Sequence, residues 1–222
     1  MRPIRMLATV AVLAGAAIAG DAKPTTDWTK HMGDLPFVVG MEAGRSEVKL
    51  VRKLPNDAPD DVQDRLSDGH SRYYRDLTPL LLPLPGARAL LRRVAELGLL
   101  VILASSAPDD ELEALLKALD CDDVIAEKTS SRDVGTAKPE PGIVKVALDR
   151  AGVDADHAVF VGDAVWDAHA AAAAGLPCIG PLSGGIAGAE LQAAGASPIF
   201  ADPRDLLEHL ESTRIAALAP GL

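Results

Sequence analysis

Four polar residues in the C-terminal part of the chain have types and spacings that could bind a phosphate group and a metal ion. Ser105 and Asp163 each directly follow an uninterrupted apolar run, and Asp167 comes one helical turn after Asp163. Lys138 lies between the two runs, in the segment AKPEPG. A hydroxyl and an ammonium group donate hydrogen bonds to phosphate oxygens, and carboxylates are ligands that Mg²⁺ accepts. Together these residues predict a phosphate and metal site.

Each of these residues also has an ordinary structural explanation. A serine after a strand usually caps the next helix, acids near a helix start are favoured by its dipole, and a Lys-Pro pair usually forms a turn. The order and spacing of all four are more specific than any one of them. Nearby, segment 183–185 (SGG) is interpreted as a loop rather than a phosphate cradle. Trp166 is interpreted as core packing, with a wall of the site as the alternative.

The elements that must position these residues are apolar runs alternating with helical patterns. Apolar runs without polar interruption are typical of strands buried on both faces, as in a parallel sheet covered by helices. Ligands bind at the carboxyl ends of such strands, so the four residues are expected at one sheet edge. The sequence predicts helices over 87–97, 108–119, 143–151, 166–174 and 203–210, and strands over 99–104, 124–126, 158–162, 178–180 and 199–201.

Composition excludes several classes of partner. The chain has 222 residues, enough for one α/β domain with a small insert, and its formal net charge is −10. That charge repels phosphates, so we expect no nucleic-acid partner and no binding to an anionic membrane. An anionic substrate would need a local positive patch. Cys121 and Cys178 are too few for a disulfide framework or a zinc cage, and are interpreted as free thiols in a reducing compartment.

The N-terminus allows two interpretations. Arg2 and Arg5 precede an apolar run over 6–20, and residues 17–19 resemble a small-residue cleavage site, which together are typical of a secretory signal. Removal of residues 1–19 would take away the stretch that should supply a central strand, and would leave unpaired backbone groups. We therefore expect this segment to fold into the domain and the protein to be cytoplasmic, with export as the alternative.

Proline spacing suggests how the chain is divided. The segment TPLLLPLPG, beginning at Thr78, cannot be the interior of a helix and is interpreted as a stiff connector. We predict an N-terminal apolar segment over 1–26 that supplies the first core strand, a helical unit over 27–78, and the main core over 79–222.

Three segments resemble motifs of the haloacid dehalogenase superfamily, in its phosphatase and β-phosphoglucomutase-like branch. VILASS is similar to the second motif, which would place Ser105 and Ser106 on the phosphate. KPEPGIVKVAL is similar to the third, with Lys138 as its cation. VFVGDAVWDAHAAAAAGLPCIG is similar to the fourth, with Asp163 and Asp167 as the acids on the metal side. The resemblance runs over about 80–210, which is most of the chain.

The resemblance implies a three-layer Rossmann-like α/β fold with a small, shortened α-helical cap at 27–78. It also implies Mg²⁺-dependent hydrolysis of a small phosphomonoester through an aspartyl-phosphate. The metal would be held by Asp163, Asp167 and Asp21, while Lys138 would take part in catalysis. The expected partner is a small phosphorylated metabolite, and the protein is expected to be a monomer or homodimer.

The first motif of that family, Asp-x-Asp-x-Thr, is missing. In one alignment Asp21 is the nucleophile and Lys23 occupies the position of the general acid, which would make the reaction slow because an ammonium group transfers that proton poorly. In another, the first strand is Thr9–Leu13 and the two acid positions fall on Ala14 and Ala16. The protein would then be a catalytically impaired relative that binds a phosphorylated ligand or partner. A third possibility is a mis-assigned start or reading frame.

Overall fold

The computed structural model describes residues 6–8, 40–41, 48–49, 82–105, 107–134, 138 and 140–219. The chain divides into two compact units, one formed by Met1–Ala17 with Leu81–Leu222 and the other by Ile18–Leu80. Most of the predicted helical cap at 27–78 lies outside the described residues, so the predicted boundaries at 26 and 78 stay predictions.

Strands and helices alternate along the larger unit. The strands of the described residues are β1 (Met6–Ala8), β2 (Gly40–Met41), β3 (Val48–Lys49), β4 (Leu100–Ala104), β5 (Ile125–Thr129), β6 (Phe160–Val161), β7 (Cys178–Pro181) and β8 (Ala196–Phe200). The helices are α1 (Ala87–Glu96), α2 (Asp109–Leu119), α3 (Gly142–Ala151), α4 (Val165–Ala173), α5 (Gly188–Ala193), α6 (Pro203–Glu208) and α7 (Arg214–Leu218). β2 and β3 form an antiparallel pair within the smaller unit.

The strands of the larger unit form two parallel sheets. β4 pairs with β1 on one side and β5 on the other, and β7 pairs with β6 and β8. β1 also contacts β6, so the two sheets meet at β1. Parallel strands joined by helical crossovers confirm the predicted α/β fold with an open, Rossmann-like sheet. The carboxyl ends of β4 and β6 therefore face the same edge.

The core is divided between the two faces of the sheet. Val101 and Leu103 of β4 pack into one cluster of buried apolar side chains, whereas Ile102 and Ala104 pack into the other. Because neighbouring residues of a strand point to opposite faces, this alternation requires both faces to be covered. The uninterrupted apolar runs of the sequence are thus explained by burial on both sides.

Most predicted boundaries are met within a residue or two, but β5 ends at Thr129 rather than 126 and β8 also differs. Gly98 and Gly152, with φ of 77° and 63°, end α1 and α3 in the left-handed conformation that glycine tolerates. β8 begins at Ala196 rather than 199, because it lies at the end of its sheet, where a proline such as Pro198 is tolerated. The short helices α5 and α7 were not predicted.

The prediction that the cysteines are free thiols can be compared with the larger unit. Cys121 and Cys178 are both buried, free thiols, as expected. No helix within the described ranges is long and apolar enough to cross a membrane.

Candidate active site

Ser105 lies at the carboxyl end of β4, where the strand leaves the sheet. Its Oγ accepts a hydrogen bond from the Ala107 backbone N–H at 3.1 Å, so the serine hydroxyl keeps its own hydrogen for another acceptor. The hydroxyl of Thr129, at the end of β5, lies 3.3 Å from the Leu103 carbonyl oxygen and 3.5 Å from that of Ser105. These contacts hold the strand end that presents Ser105.

Lys138 joins the end of β4 to the beginning of α4. Its Nζ lies 2.5 Å from Asp167 Oδ1 and 3.5 Å from the Ala104 carbonyl oxygen, next to Ser105 in sequence. The ammonium also lies 5.8 Å from the centre of the Phe160 ring, within range of a cation–π contact. An ammonium group has three donors, so these two oxygen partners leave one for a ligand.

Asp167 is buried in the first turn of α4 and has a donor on each carboxylate oxygen. Oδ1 accepts from Lys138, and Oδ2 accepts from the Ala164 backbone N–H at 3.2 Å. Space for this side chain depends on Gly162, because a Cβ at that position would lie 2.4 Å from Asp167 Cβ. The glycine that precedes Asp163 therefore lets Asp167 reach Lys138.

Asp163 lies two residues after the end of β6 and has a different set of partners. Its Oδ2 accepts a hydrogen bond from the Ser183 hydroxyl at 3.2 Å. Burial, and next the negative charge of Asp167, raise the pKa of Asp163 to about 6, while Ser183 and the ammonium of Lys138 act in the opposite direction. Two carboxylates thus lie near a single ammonium, and the excess negative charge falls on Asp163.

This donor set fits Mg²⁺ at Asp163 better than at Asp167. A divalent cation would stabilise the ionised form of Asp163, whose burial opposes its charge, and Mg²⁺ prefers carboxylate oxygens and retains several waters. Asp167 already has donors on both oxygens. In the part of the chain that the structure describes, no group of three or more potential metal-binding side chains occurs.

The structure brings together Lys138, Asp163, Asp167 and the strand end that carries Ser105, at one edge of the larger unit. The positions of Asp21 and Ser106 lie outside the described residues, as do the alternative strand 9–13 and its acid positions, so the roles predicted for them stay predictions.

Sequence reasoning missed or misread three residues around this edge. Trp166 is 56% exposed, so its interpretation as core packing is wrong. Segment 183–185 is interpreted as a loop rather than a phosphate cradle, which the short turn there does not contradict, but the contacts of Ser183 and Gly184 with Asp163 were missed. The signal that could have found them is their place after β7, since every strand of a parallel sheet brings its following loop to the same edge.

Comparison with known proteins shows which sequences and folds this chain is similar to. Phosphoglycolate phosphatase of Rhodospirillum rubrum is 32% identical over 157 residues, which cover 71% of this chain and 58% of that protein. (S)-2-haloacid dehalogenase 4A of Burkholderia cepacia is 32% identical over 108 residues, covering 48% of this chain and 45% of that protein. The matched part thus spans about half the length of these curated relatives.

Solved structures show the same fold. A hydrolase from Pseudomonas syringae superposes with a TM-score of 0.66 at 35% identity, covering 69% of this chain and 74% of that one. A putative beta-phosphoglucomutase from Thermotoga maritima gives a TM-score of 0.60 at 26% identity, covering 71% and 73%. The family model of the haloacid dehalogenase-like hydrolases matches residues 7–175. Since that match spans most of the chain and includes Lys138, Asp163 and Asp167, the chain belongs to the haloacid dehalogenase-like hydrolase family.

Proposed function

We propose that this protein is a Mg²⁺-dependent phosphatase that hydrolyses a small phosphomonoester. The observation that carries the proposal is the buried pair formed by Lys138 and Asp167, which lies beside Asp163 and next to the strand end of Ser105. The similarity to phosphoglycolate phosphatases supports 2-phosphoglycolate as the first substrate to test.

The phosphoryl group would be bound by two donors of different kinds. The Ser105 hydroxyl supplies a short, directional hydrogen bond, and the Lys138 ammonium supplies a point charge. Asp167 holds that ammonium in place through their contact of 2.5 Å. The Lys138 ammonium matters because the protein as a whole carries a formal net charge of −10, which repels an anionic substrate.

Asp163 would hold the metal ion, with waters and the substrate completing its coordination. Bound Mg²⁺ would neutralise charge on the phosphoryl oxygens and so favour attack at phosphorus. Asp163 is suited to this because its partner Ser183 is uncharged and leaves the carboxylate's negative charge for the cation.

The nucleophile is proposed to be Asp21. Its carboxylate oxygen would form a bond to phosphorus as the ester P–O bond breaks, and the leaving oxygen would take a proton. Water would then cleave the acyl phosphate, releasing inorganic phosphate and regenerating the carboxylate. Lys23 stands where an acid would usually transfer the proton, so turnover is expected to be slow, by about 10²–10⁴-fold.

A second candidate function is binding of a phosphorylated ligand without turnover. It is favoured by the N-terminal sequence, in which no Asp-x-Asp-x-Thr motif occurs and Asp21 is the first acidic residue along the chain. Ser105, Lys138 and Asp163 could still bind a phosphate group and Mg²⁺ under this alternative.

The two candidates are separated by measuring phosphate release from 2-phosphoglycolate, with and without Mg²⁺. We expect slow, Mg²⁺-dependent release by the wild type and a loss of about 10²-fold or more in Asp163→Asn. Asp156→Asn is the matched control, since Asp156 is an exposed aspartate in the turn before β6. Equal rates for the wild type and Asp21→Asn would remove Asp21 from the mechanism.

Binding of 2-phosphoglycolate, measured by calorimetry, completes the test. Binding that requires Lys138 but gives no phosphate release would favour the second candidate. Absence of both binding and release would contradict a function at this site for that class of ligand.

A further inference from the structure

The loop that follows β7 reaches the same sheet edge as Asp163. β7 pairs in parallel with β6, with Phe160 opposite Cys178 and Val161 opposite Ile179, so the two strands end side by side. The chain then makes a short 3₁₀ turn over Leu182–Gly184, which ends at Gly185. Asp163 and this turn are therefore neighbours because of the strand pairing, although they are far apart in sequence.

Two contacts join the turn to Asp163. The Ser183 hydroxyl donates to Asp163 Oδ2 at 3.2 Å. A Cβ placed on Gly184 would lie 2.4 Å from the Asp163 carbonyl oxygen and 2.9 Å from the carboxylate carbon. Real Cβ atoms do not approach other atoms this closely, so only glycine leaves Asp163 where it is.

The anchoring of Asp163 differs in kind from that of Asp167. A lysine bound to Asp167 cancels its charge, whereas a serine hydroxyl occupies one lone pair of Asp163 and leaves the charge in place. A carboxylate that keeps its charge and is held in one orientation is well suited to bind a hard cation.

We propose that Ser183 and Gly184 are positioning residues for Asp163. Ser183 fixes the rotation of the carboxylate and would leave its remaining lone pairs available to a cation, and Gly184 provides the space in which the carboxylate lies. This inference rests on the proposed function, in which Asp163 binds Mg²⁺.

The first test is the affinity of the full-length protein for Mg²⁺, measured by calorimetry without substrate. In Ser183→Ala we expect Mg²⁺ affinity to fall by about 10-fold, the usual effect of removing a hydrogen bond to a metal ligand. Ser183→Thr restores the hydroxyl and is expected to restore the affinity. Ser212→Ala is the matched control, because the Ser212 hydroxyl donates to the His209 carbonyl, in a different part of the unit.

The second test replaces Gly184 with alanine. The added Cβ is expected to displace the Asp163 carboxylate and to weaken Mg²⁺ binding more than Ser183→Ala does. Gly188→Ala is the control, since a Cβ there would have its nearest neighbour, Leu182 Cδ2, at an ordinary 3.6 Å. Circular dichroism and thermal unfolding should remain close to those of the wild type in Ser183→Ala, which separates a change in the site from a loss of fold.

The outcomes distinguish this inference from the function on which it rests. If the wild type binds Mg²⁺ and Ser183→Ala binds it equally well, the inference is overturned and the proposed function stands. If the wild type does not bind Mg²⁺ at all, the proposed function is overturned, and the inference with it.

Discussion

Two ion pairs in this protein have the same length and opposite surroundings. Lys138–Asp167 and Arg92–Asp123 both have an N···O distance of 2.5 Å. The side chains of the first are 13% and 4% exposed, whereas those of the second are 46% and 59% exposed. Solvent screens the exposed pair and competes for its hydrogen bonds, so its contribution to stability is small.

The buried pair behaves differently because water cannot replace a missing partner. Removal of the Lys138 charge leaves Asp167 buried without a charged partner, so the pair is held in a defined place. A fixed ammonium at the end of a strand is what binding of a phosphoryl group requires. The two pairs have the same N···O distance, so the difference between them lies in solvent exposure. The less exposed pair can hold a functional group in place, whereas the exposed pair contributes little.

The largest effect is expected from Lys138→Met. It removes the cation proposed to contact phosphate, so kcat/KM should fall by about 10²–10³-fold. It also leaves Asp167 buried without its partner, so the free energy of unfolding should fall by about 3–5 kcal/mol. Phosphate release and urea unfolding measure the two effects. Unchanged stability would contradict the importance assigned to burial.

The double variant Lys138→Met/Asp167→Leu sharpens the comparison. Replacing both charges by apolar side chains removes the unpaired carboxylate, so stability is expected to return to within about 1 kcal/mol of the wild type. Activity is not expected to return, because the phosphate-binding cation is still absent. Recovery of both would mean that Lys138 acts only in folding.

The ion pair between Arg150 and Asp133 has side chains that are 37% and 22% exposed, between the values of the other two pairs. Breaking it is expected to lower the free energy of unfolding by an intermediate amount. The Ser130 backbone N–H and then the Arg150 guanidinium hold the pKa of Asp133 below its usual value. A carboxyl with a lowered folded-state pKa adds stability above its unfolded pKa, near 4, and loses it as the pH falls through the folded value. Asp133→Asn should therefore cost about 1 kcal/mol at pH 7. Between pH 7 and 3, the free energy of unfolding should fall less steeply in Asp133→Asn than in the wild type. Equal pH dependence in the two proteins would contradict this prediction.

The smallest effect is expected from Arg92→Met. The variant breaks the exposed ion pair between Arg92 and Asp123. Water can take the place of the lost partner of Asp123, because that side chain is exposed. We expect no measurable change in thermal unfolding at physiological salt and none in phosphate release. A loss comparable to that of Lys138→Met would show that distance matters more than burial here.

Sequence reasoning could find the strand ends because their signal is local. The apolar runs before Ser105 and Asp163 predicted buried parallel strands, and the helical spacing placed Asp167 one turn further. The alternation of Val101 and Ile102 between the two core clusters explains why these runs contain no polar residue.

Contacts that depend on tertiary pairing could not be found in this way. The contact between Ser183 and Asp163 exists because β7 lies beside β6, which no local pattern encodes. Lys138 and Asp167 were both predicted at the site, but their mutual ion pair, which changes the part that Asp167 can play, follows only from the fold.

The two glycines on either side of Asp163 have a consequence for protein engineering. Gly162 and Gly184 are places where a single methyl group would collide with one of the two acids. Around Asp163, the side-chain volume at these two positions limits substitution more than the side-chain charge does. A mutational library that varies only polarity around Asp163 would therefore not test this limit on volume. Alanine, ordinarily the mildest replacement, is expected to be among the more damaging choices at both positions.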